Sequence, residues 1–214
     1  AELFAELDRL AASEVVLASS TSGIPASAFT ANLPGRARCL VAHPINPPYL
    51  VPVVELCPAP WTDPAVVGRT AALMREAGQV PATMRKEVPG FVVNRLQIAL
   101  VAEAFRLVRD GVMSQADVDA CMKHGLGLRW AFMGPFETID LNAPEGVADY
   151  CARYGPLFDQ VEAEMQPLKL TPEMVAAMHA ERRKALPLDR IATRAAWRDR
   201  RLMALAAHKA GQKE

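Results

Sequence analysis

Arg38-Cys-Leu-Val-Ala-His43-Pro-Ile-Asn46-Pro-Pro-Tyr-Leu-Val51-Pro-Val-Val-Glu55-Leu56 is the stretch from which the fold is read. It holds two short apolar runs, 38–43 and 51–56, each of buried-strand type, with Pro52 marking an edge or irregular position. Upstream, Glu14-Val-Val-Leu-Ala18 is a third run of the same kind. Downstream a helix is predicted: Thr62 or Asp63 caps it and Pro64 sits in its first turn. Val66, Thr70, Leu73 and Ala77 recur on one face, and Gly78 ends it. Residues 79–84 return to strand character. This βα alternation predicts a mostly parallel sheet.

The character changes after Pro89-Gly90. From Asn94 to Arg109, Leu96, Leu100, Ala104 and Leu107 with Val108 fall at helical spacing, and Gly111 closes the run. Ser114-x-x-Asp117 resembles a capping box opening a further helix, which Gly125 is expected to end. Beyond it the periodicities are helical. The expected fold is α/β plus all-α, with an α/β domain over residues 1–88 and a helical domain over 89–214.

The chain has 214 residues, 51% hydrophobic and 22% charged, enough for one or two domains with a substantial core. Its 24 Lys+Arg and 24 Asp+Glu cancel, so the chain as a whole has no bias toward nucleic acid or anionic membrane. Residues 181–214 carry ten Lys/Arg against four Asp/Glu, a +6 tail balanced by −6 elsewhere. Arg190, Arg194 and Arg198 lie at i, i+4, i+8 with Trp197 as the interleaved aromatic, which reads as a solvated face or subunit contact in preference to a nucleic-acid stripe. The least charged stretch, 39–54, is broken by four prolines, so no membrane span is expected. The four cysteines show no C-x-x-C spacing, which argues against zinc and redox motifs and fits a reducing cytoplasm. Residues 1–12 form an amphipathic helix with Leu3, Phe4, Leu7 and Leu10 on one face, unlike a signal peptide.

A sheet of this type suggests a nucleotide fold, yet neither G-x-G-x-x-G nor a Walker loop occurs; Gly125-Leu-Gly127 lacks the third glycine and follows a helix. The chemistry concentrates at His43, where a strand ends. A histidine among prolines is structural or catalytic by itself. Glu55 bears on the choice, because a carboxylate inside the run Val51–Cys57 is costly unless paired. From an adjacent strand it would accept a hydrogen bond from one ring nitrogen of His43, fix the tautomer and leave the other nitrogen as a general base. Ser19-Ser-Thr-Ser22 reads as a turn cap or a polar site segment. Asn94 reads as a helix cap or a site residue.

The ordered series LASSTS, VAHPINPP, VVEL, EVPGFVVNRLQ and GLGLRWAFMGPFETIDL resembles the 3-hydroxyacyl-CoA dehydrogenase family, and within it the lambda-crystallin (L-gulonate 3-dehydrogenase) branch. The resemblance runs nearly the length of the chain, to AAWRDRRLM. It implies the remainder of an NAD-binding Rossmann domain followed by a helical domain used for dimerisation and for closing the cleft. It implies NAD as cofactor and a small-molecule 3-hydroxy acid or 3-hydroxyacyl-CoA as substrate, with no nucleic-acid or membrane partner. It also makes His43 the general base, with Glu55 orienting it. Ser22 and Asn94 would hold the reacting oxygen, and Asn46, with Ser22, would place the nicotinamide. Arg129 is expected either to grip a substrate carboxylate or to pair with Glu137 or Asp140 of a second subunit. The glycine-bearing βαβ of the family is not in this sequence; roughly 80–100 residues are expected before Ala1, and the chain by itself is expected to be inactive. A homodimer built from residues 90–214 is expected. The competing class is a structural, crystallin-like protein on the same scaffold.

Overall fold

The computed structural model describes residues 1–212. Helix α1 (Glu2–Leu10) leads into strand β1 (Leu17–Ser19), and the short α2 (Ser27–Thr30) precedes β2 (Cys39–Pro44). Strand β3 (Val53–Pro58), helix α3 (Pro64–Glu76) and strand β4 (Val80–Thr83) follow. The four strands form one sheet in the order β1-β2-β3-β4. β1 and β2 are parallel, as are β3 and β4, but β2 and β3 run antiparallel. The expected mostly parallel sheet is therefore mixed. Residues 45–52 alone join β2 to β3, and a parallel crossover needs a dozen residues or more.

Alternation along β2 and β3 divides their side chains between two cores. Leu40, Val54 and Leu56 pack with Val66 and Ala71 of α3, and Ala42 lies against them. Val41 and Cys57 face the other way and pack with Ala26, Ala59, Met84 and Phe91. Both faces are covered, so each strand reads as a nearly continuous apolar run.

Local corrections have physical causes. β1 begins at Leu17, because the Arg38 guanidinium takes the carbonyls of Ala11, Ala12 and Val15, pinning the backbone before Leu17 outside the sheet. Arg38 also binds Asp8, whose other oxygen accepts from the Gly35 N–H. On α1, Phe4 meets Phe29 edge to face at 4.7 Å, but Leu3, Leu7 and Leu10 stay exposed. Asp63 caps α3 through the Ala65 N–H, and Val66, Thr70 and Ala71 are buried. Leu73, expected on that face, points to solvent, and Met74 packs inward instead.

The chain divides into two compact units, Ala1–Ile98 with Ala192–Glu214, and Ala99–Ile191. Helix α4 (Val93–Arg109) begins in the first and ends in the second. In the second unit Ser114 caps α5 (Gln115–Cys121) through the Asp117 N–H. Gly125 does not end that helix. A π turn over Met122–Leu126 carries it into α6 (Gly127–Trp130), and a Cβ at Gly127 would lie 2.8 Å from the Met122 carbonyl. Then come α7 (Pro135–Asp140), α8 (Gly146–Glu164) and α9 (Pro172–Ala185). The final helix, α10 (Ile191–Ala210), belongs to the first unit from Ala192 onward. Among the described residues no helix is long and apolar enough to cross a membrane.

Candidate active site

His43 and Glu55 are directly opposed in the antiparallel register of β2 and β3, so the pleat sends both side chains to one face of the sheet. His43 Nδ1 lies 2.9 Å from Glu55 Oε2, and both residues are buried, at 4% and 1% exposure. The second carboxylate oxygen, Oε1, accepts the backbone N–H groups of Val92 at 2.8 Å and Val93 at 2.9 Å. These amides open α4, so the carboxylate sits at the positive end of a 17-residue helix. A carboxylate only accepts hydrogen bonds, so Nδ1 carries a proton, and in the neutral imidazole Nε2 then holds the lone pair. Nε2 has no hydrogen-bond partner among the described residues. The pair therefore presents one basic nitrogen of fixed tautomer.

Two further sequence-predicted residues meet beside this pair. The Asn94 side-chain amide donates to the Ser22 backbone carbonyl at 2.5 Å. Asn94 is thus not the cap of α4; Glu55, from a strand, serves that end of the helix. Four residues before Asn94, in the turn ahead of α4, the Gly90 N–H donates to the Gly23 carbonyl at 3.3 Å. The Ser22 residue itself is exposed, and its hydroxyl makes no hydrogen bond among the described residues. Asn46 is also exposed, in the loop that follows β2. Because β1 and β2 are parallel, Ser22 and Asn46 follow carboxyl ends at the same edge of the sheet, the edge where ligands of open α/β sheets bind. Glu55 reaches that edge because β3 runs the other way and starts there.

Arg129 belongs to the second unit, on α6, where it is exposed. Among the described residues its side chain makes no ion pair, so neither Glu137 nor Asp140 of the same chain takes it. No cluster of three or more metal-ligating side chains occurs among the described residues.

Sequence reasoning missed Phe91 and the two amides after it. Phe91 is fully buried, its ring centroid lies 5.3 Å from that of His43, and its φ is +55°. A non-glycine residue in that region carries a cost of about 1–3 kcal/mol and persists only where its surroundings impose it. The available signal was the lack of any Ser, Thr, Asp or Asn before Val93: a helix start without its own cap needs an acceptor from elsewhere.

The sheet is mixed, and on two of its neighbouring strands it carries a buried His–Glu pair whose carboxylate takes the first amides of α4. The chain belongs to the 3-hydroxyacyl-CoA dehydrogenase family. Residues 1–88 match the profile of that family's NAD-binding domain, and residues 90–187 match that of its C-terminal domain. Within the family it fits the lambda-crystallin branch. It is 48% identical over 211 residues to the lambda-crystallin homologue of Bos taurus, covering 96% of this chain and 64% of that protein. It is 38% identical over 200 residues to L-carnitine dehydrogenase of Streptomyces griseus, covering 93% of this chain and 60% of that protein. The chain thus spans less than two thirds of the length of these relatives. Among solved structures, an NAD+-dependent 5-formyl-3-hydroxy-2-methylpyridine 4-carboxylic acid 5-dehydrogenase superposes with a TM-score of 0.84 at 27% identity. That alignment covers 99% of this chain and 69% of the other.

Proposed function

We propose that this chain carries the acid–base half of an NAD-dependent dehydrogenase that oxidises the 3-hydroxyl of a free 3-hydroxy acid. The observation that carries the reading is the buried Nδ1–Glu55 hydrogen bond, which leaves Nε2 of His43 without a protein partner among the described residues. NAD, when bound, accepts the hydride from the substrate carbon. Ser22 and Asn46 suit the nicotinamide end, since both are exposed and follow parallel strands at one sheet edge. No glycine signature for the pyrophosphate lies in residues 1–214, so the residues present fit the reacting end of the cofactor and not its phosphates.

In this mechanism the substrate hydroxyl donates its hydrogen bond to Nε2 of His43. As the carbon loses its hydride, the hydroxyl proton passes to Nε2 and the carbon becomes a carbonyl. Glu55 holds the imidazole by Nδ1 and balances the positive charge that forms on it. The α4 amides keep the carboxylate from turning away. Asn94, with one amide hydrogen on the Ser22 carbonyl, has the other for the substrate oxygen, and the Ser22 hydroxyl supplies a second contact.

A free acid is the preferred substrate in this reading. The L-carnitine dehydrogenase relatives support it, because carnitine is itself a 3-hydroxy carboxylate. The four cysteines are free, which suits a reducing compartment such as the cytoplasm. The many exposed apolar residues of the second unit, among them Phe132, Phe136 and Leu157, favour a homodimer.

The test compares the 214-residue chain with the same chain joined, ahead of Ala1, to a glycine-bearing βαβ segment. With NAD, the joined form is expected to oxidise L-3-hydroxybutyrate, L-carnitine or L-gulonate with higher kcat/KM than 3-hydroxybutyryl-CoA. The shorter form is expected to give no turnover. Preference for the CoA ester overturns the substrate class. Absence of NAD binding and of turnover in the joined form moves the protein to the structural, crystallin-like reading that its lambda-crystallin relatives raise.

A further inference from the structure

Gly90 and Phe91 adopt successive positive φ values, +76° and +55°. Glycine takes such a conformation at no steric cost, and Gly90 needs no further account. Phe91 does. A phenyl side chain at a left-handed position would ordinarily give way to Gly or Asn, yet here it is kept and wholly buried. Its ring packs in the cluster with Val41, Cys57 and Met84 and stands tilted at 49° against the His43 imidazole.

The same residue sets the direction of the chain on both sides. Its own N–H turns back to the Val88 carbonyl, closing the turn. The next two N–H groups, of Val92 and Val93, then point together at Oε1 of Glu55. With Phe91 in the ordinary right-handed or extended region, the two amides after it would be carried off this line. The turn is also tied to the neighbouring loop, through Gly90 N–H to Gly23 and Asn94 to Ser22. One short segment therefore touches His43 by a ring, Glu55 by two amides and the Ser22 loop by two hydrogen bonds.

We propose that Phe91 is the positioning residue of the His43–Glu55 pair: its left-handed backbone aims the α4 amides at the carboxylate, and its ring walls the imidazole so that the proton stays on Nδ1. Phe91 touches no substrate in this account. It acts through His43 and Glu55, and it explains why a buried turn keeps an aromatic residue where glycine would fit the backbone. The purpose assigned to it rests on the reading of His43 as the base. The readouts below follow protons in the unliganded chain and need no turnover, so a failed enzyme assignment and a failed positioning role give different results.

The variants are Phe91→Leu, which keeps apolar bulk without the aromatic face, and Phe91→Gly, which keeps the backbone conformation without the side chain. In nitrogen-15 spectra of the 214-residue chain, exchange with solvent is measured for His43 Nδ1–H, for the Val92 and Val93 amides and, as reference, for the amides of Leu40 and Leu56. Phe91→Leu is expected to speed exchange of Nδ1–H on the order of tenfold or more beyond any change at the reference amides, and to mix the imidazole tautomers. Phe91→Gly is expected to expose Nδ1–H in the same way while Val92 and Val93 keep their protection relative to Leu40 and Leu56. Uniform loss at all five positions, or an unchanged Nδ1–H in both variants, overturns the proposal and leaves Phe91 as core filling. Should neither variant fold, the unsubstituted chain decides. His43 Nδ1–H and the two amides must then open together, with one urea dependence, and separate dependences refute the proposal.

Discussion

Glu55→Gln removes one charge and almost no volume, so its effect is that of the carboxylate's electrostatics. The side chain makes three hydrogen bonds, to Val92 N–H, Val93 N–H and His43 Nδ1, at 2.8–2.9 Å. The glutamine oxygen must stay on the two amides, because its NH2 group there would set donor against donor. Each of these bonds then falls from the charged to the neutral class, a loss of about 1 kcal/mol apiece. The NH2 group faces Nδ1, which is now obliged to accept, so the ring proton moves to Nε2. The expected cost to the first unit is about 2–3 kcal/mol. In a chain competent for turnover the wrong tautomer should lower kcat by ~10²–10⁴-fold. Urea unfolding followed by Trp61 fluorescence, with Trp130 and Trp197 replaced by Phe, isolates the first unit. Side-chain nitrogen-15 spectra of His43 report the proton directly. Stability within ~0.5 kcal/mol of the parent, with the proton still on Nδ1, would refute the reasoning.

Other consequences follow from named contacts. The Gly35 N–H and then the Arg38 guanidinium hold the Asp8 carboxyl below the usual carboxylate range, so this side chain stabilises the fold above pH ~4 and ceases to as pH falls through its lowered value. Asp8→Asn should therefore be less stable than the parent at pH 7 and show a shallower acid limb in urea unfolding; an unchanged acid limb contradicts the pairing. Arg38→Met leaves Asp8 without its buried partner and should cost about 3–5 kcal/mol in the same assay. Burial pushes the Cys39 thiol up to about 11 and the Cys57 thiol up to about 12, while Cys121 and Cys151 are exposed. Ellman's reagent at pH 8 should label two of the four thiols rapidly, and a third fast thiol would show that β2 or β3 is open.

The sequence exposed the pairing of His43 with Glu55 more completely than the sheet. The run Arg38–His43 and the interrupting Glu55 sufficed to place two residues against each other, because a buried carboxylate demands a partner and few polar groups were near it in the chain. The direction of β3 was not recoverable from its composition. A parallel and an antiparallel strand buried on both faces have the same apolar run, and only the short 45–52 connection distinguishes them. Leu73 was misplaced because helical spacing allows several faces, and α3 buries the one centred on Val66, Thr70 and Ala71. Gly125 misled because a π turn absorbs it where an α-helix would stop. Phe91 escaped notice since nothing in a Pro-Gly-Phe string says that the phenylalanine, as well as the glycine, takes a positive φ.

The most direct test of the account is the NAD-dependent oxidation of a 3-hydroxy acid by the βαβ-joined chain, compared between the parent and His43→Asn. Circular dichroism and NAD binding would establish that both are folded and loaded. The account predicts retained NAD binding and a kcat lower by on the order of 100-fold or more in His43→Asn, with no recovery as pH is raised. A His43→Asn variant that binds NAD and turns over at the parent rate would contradict it.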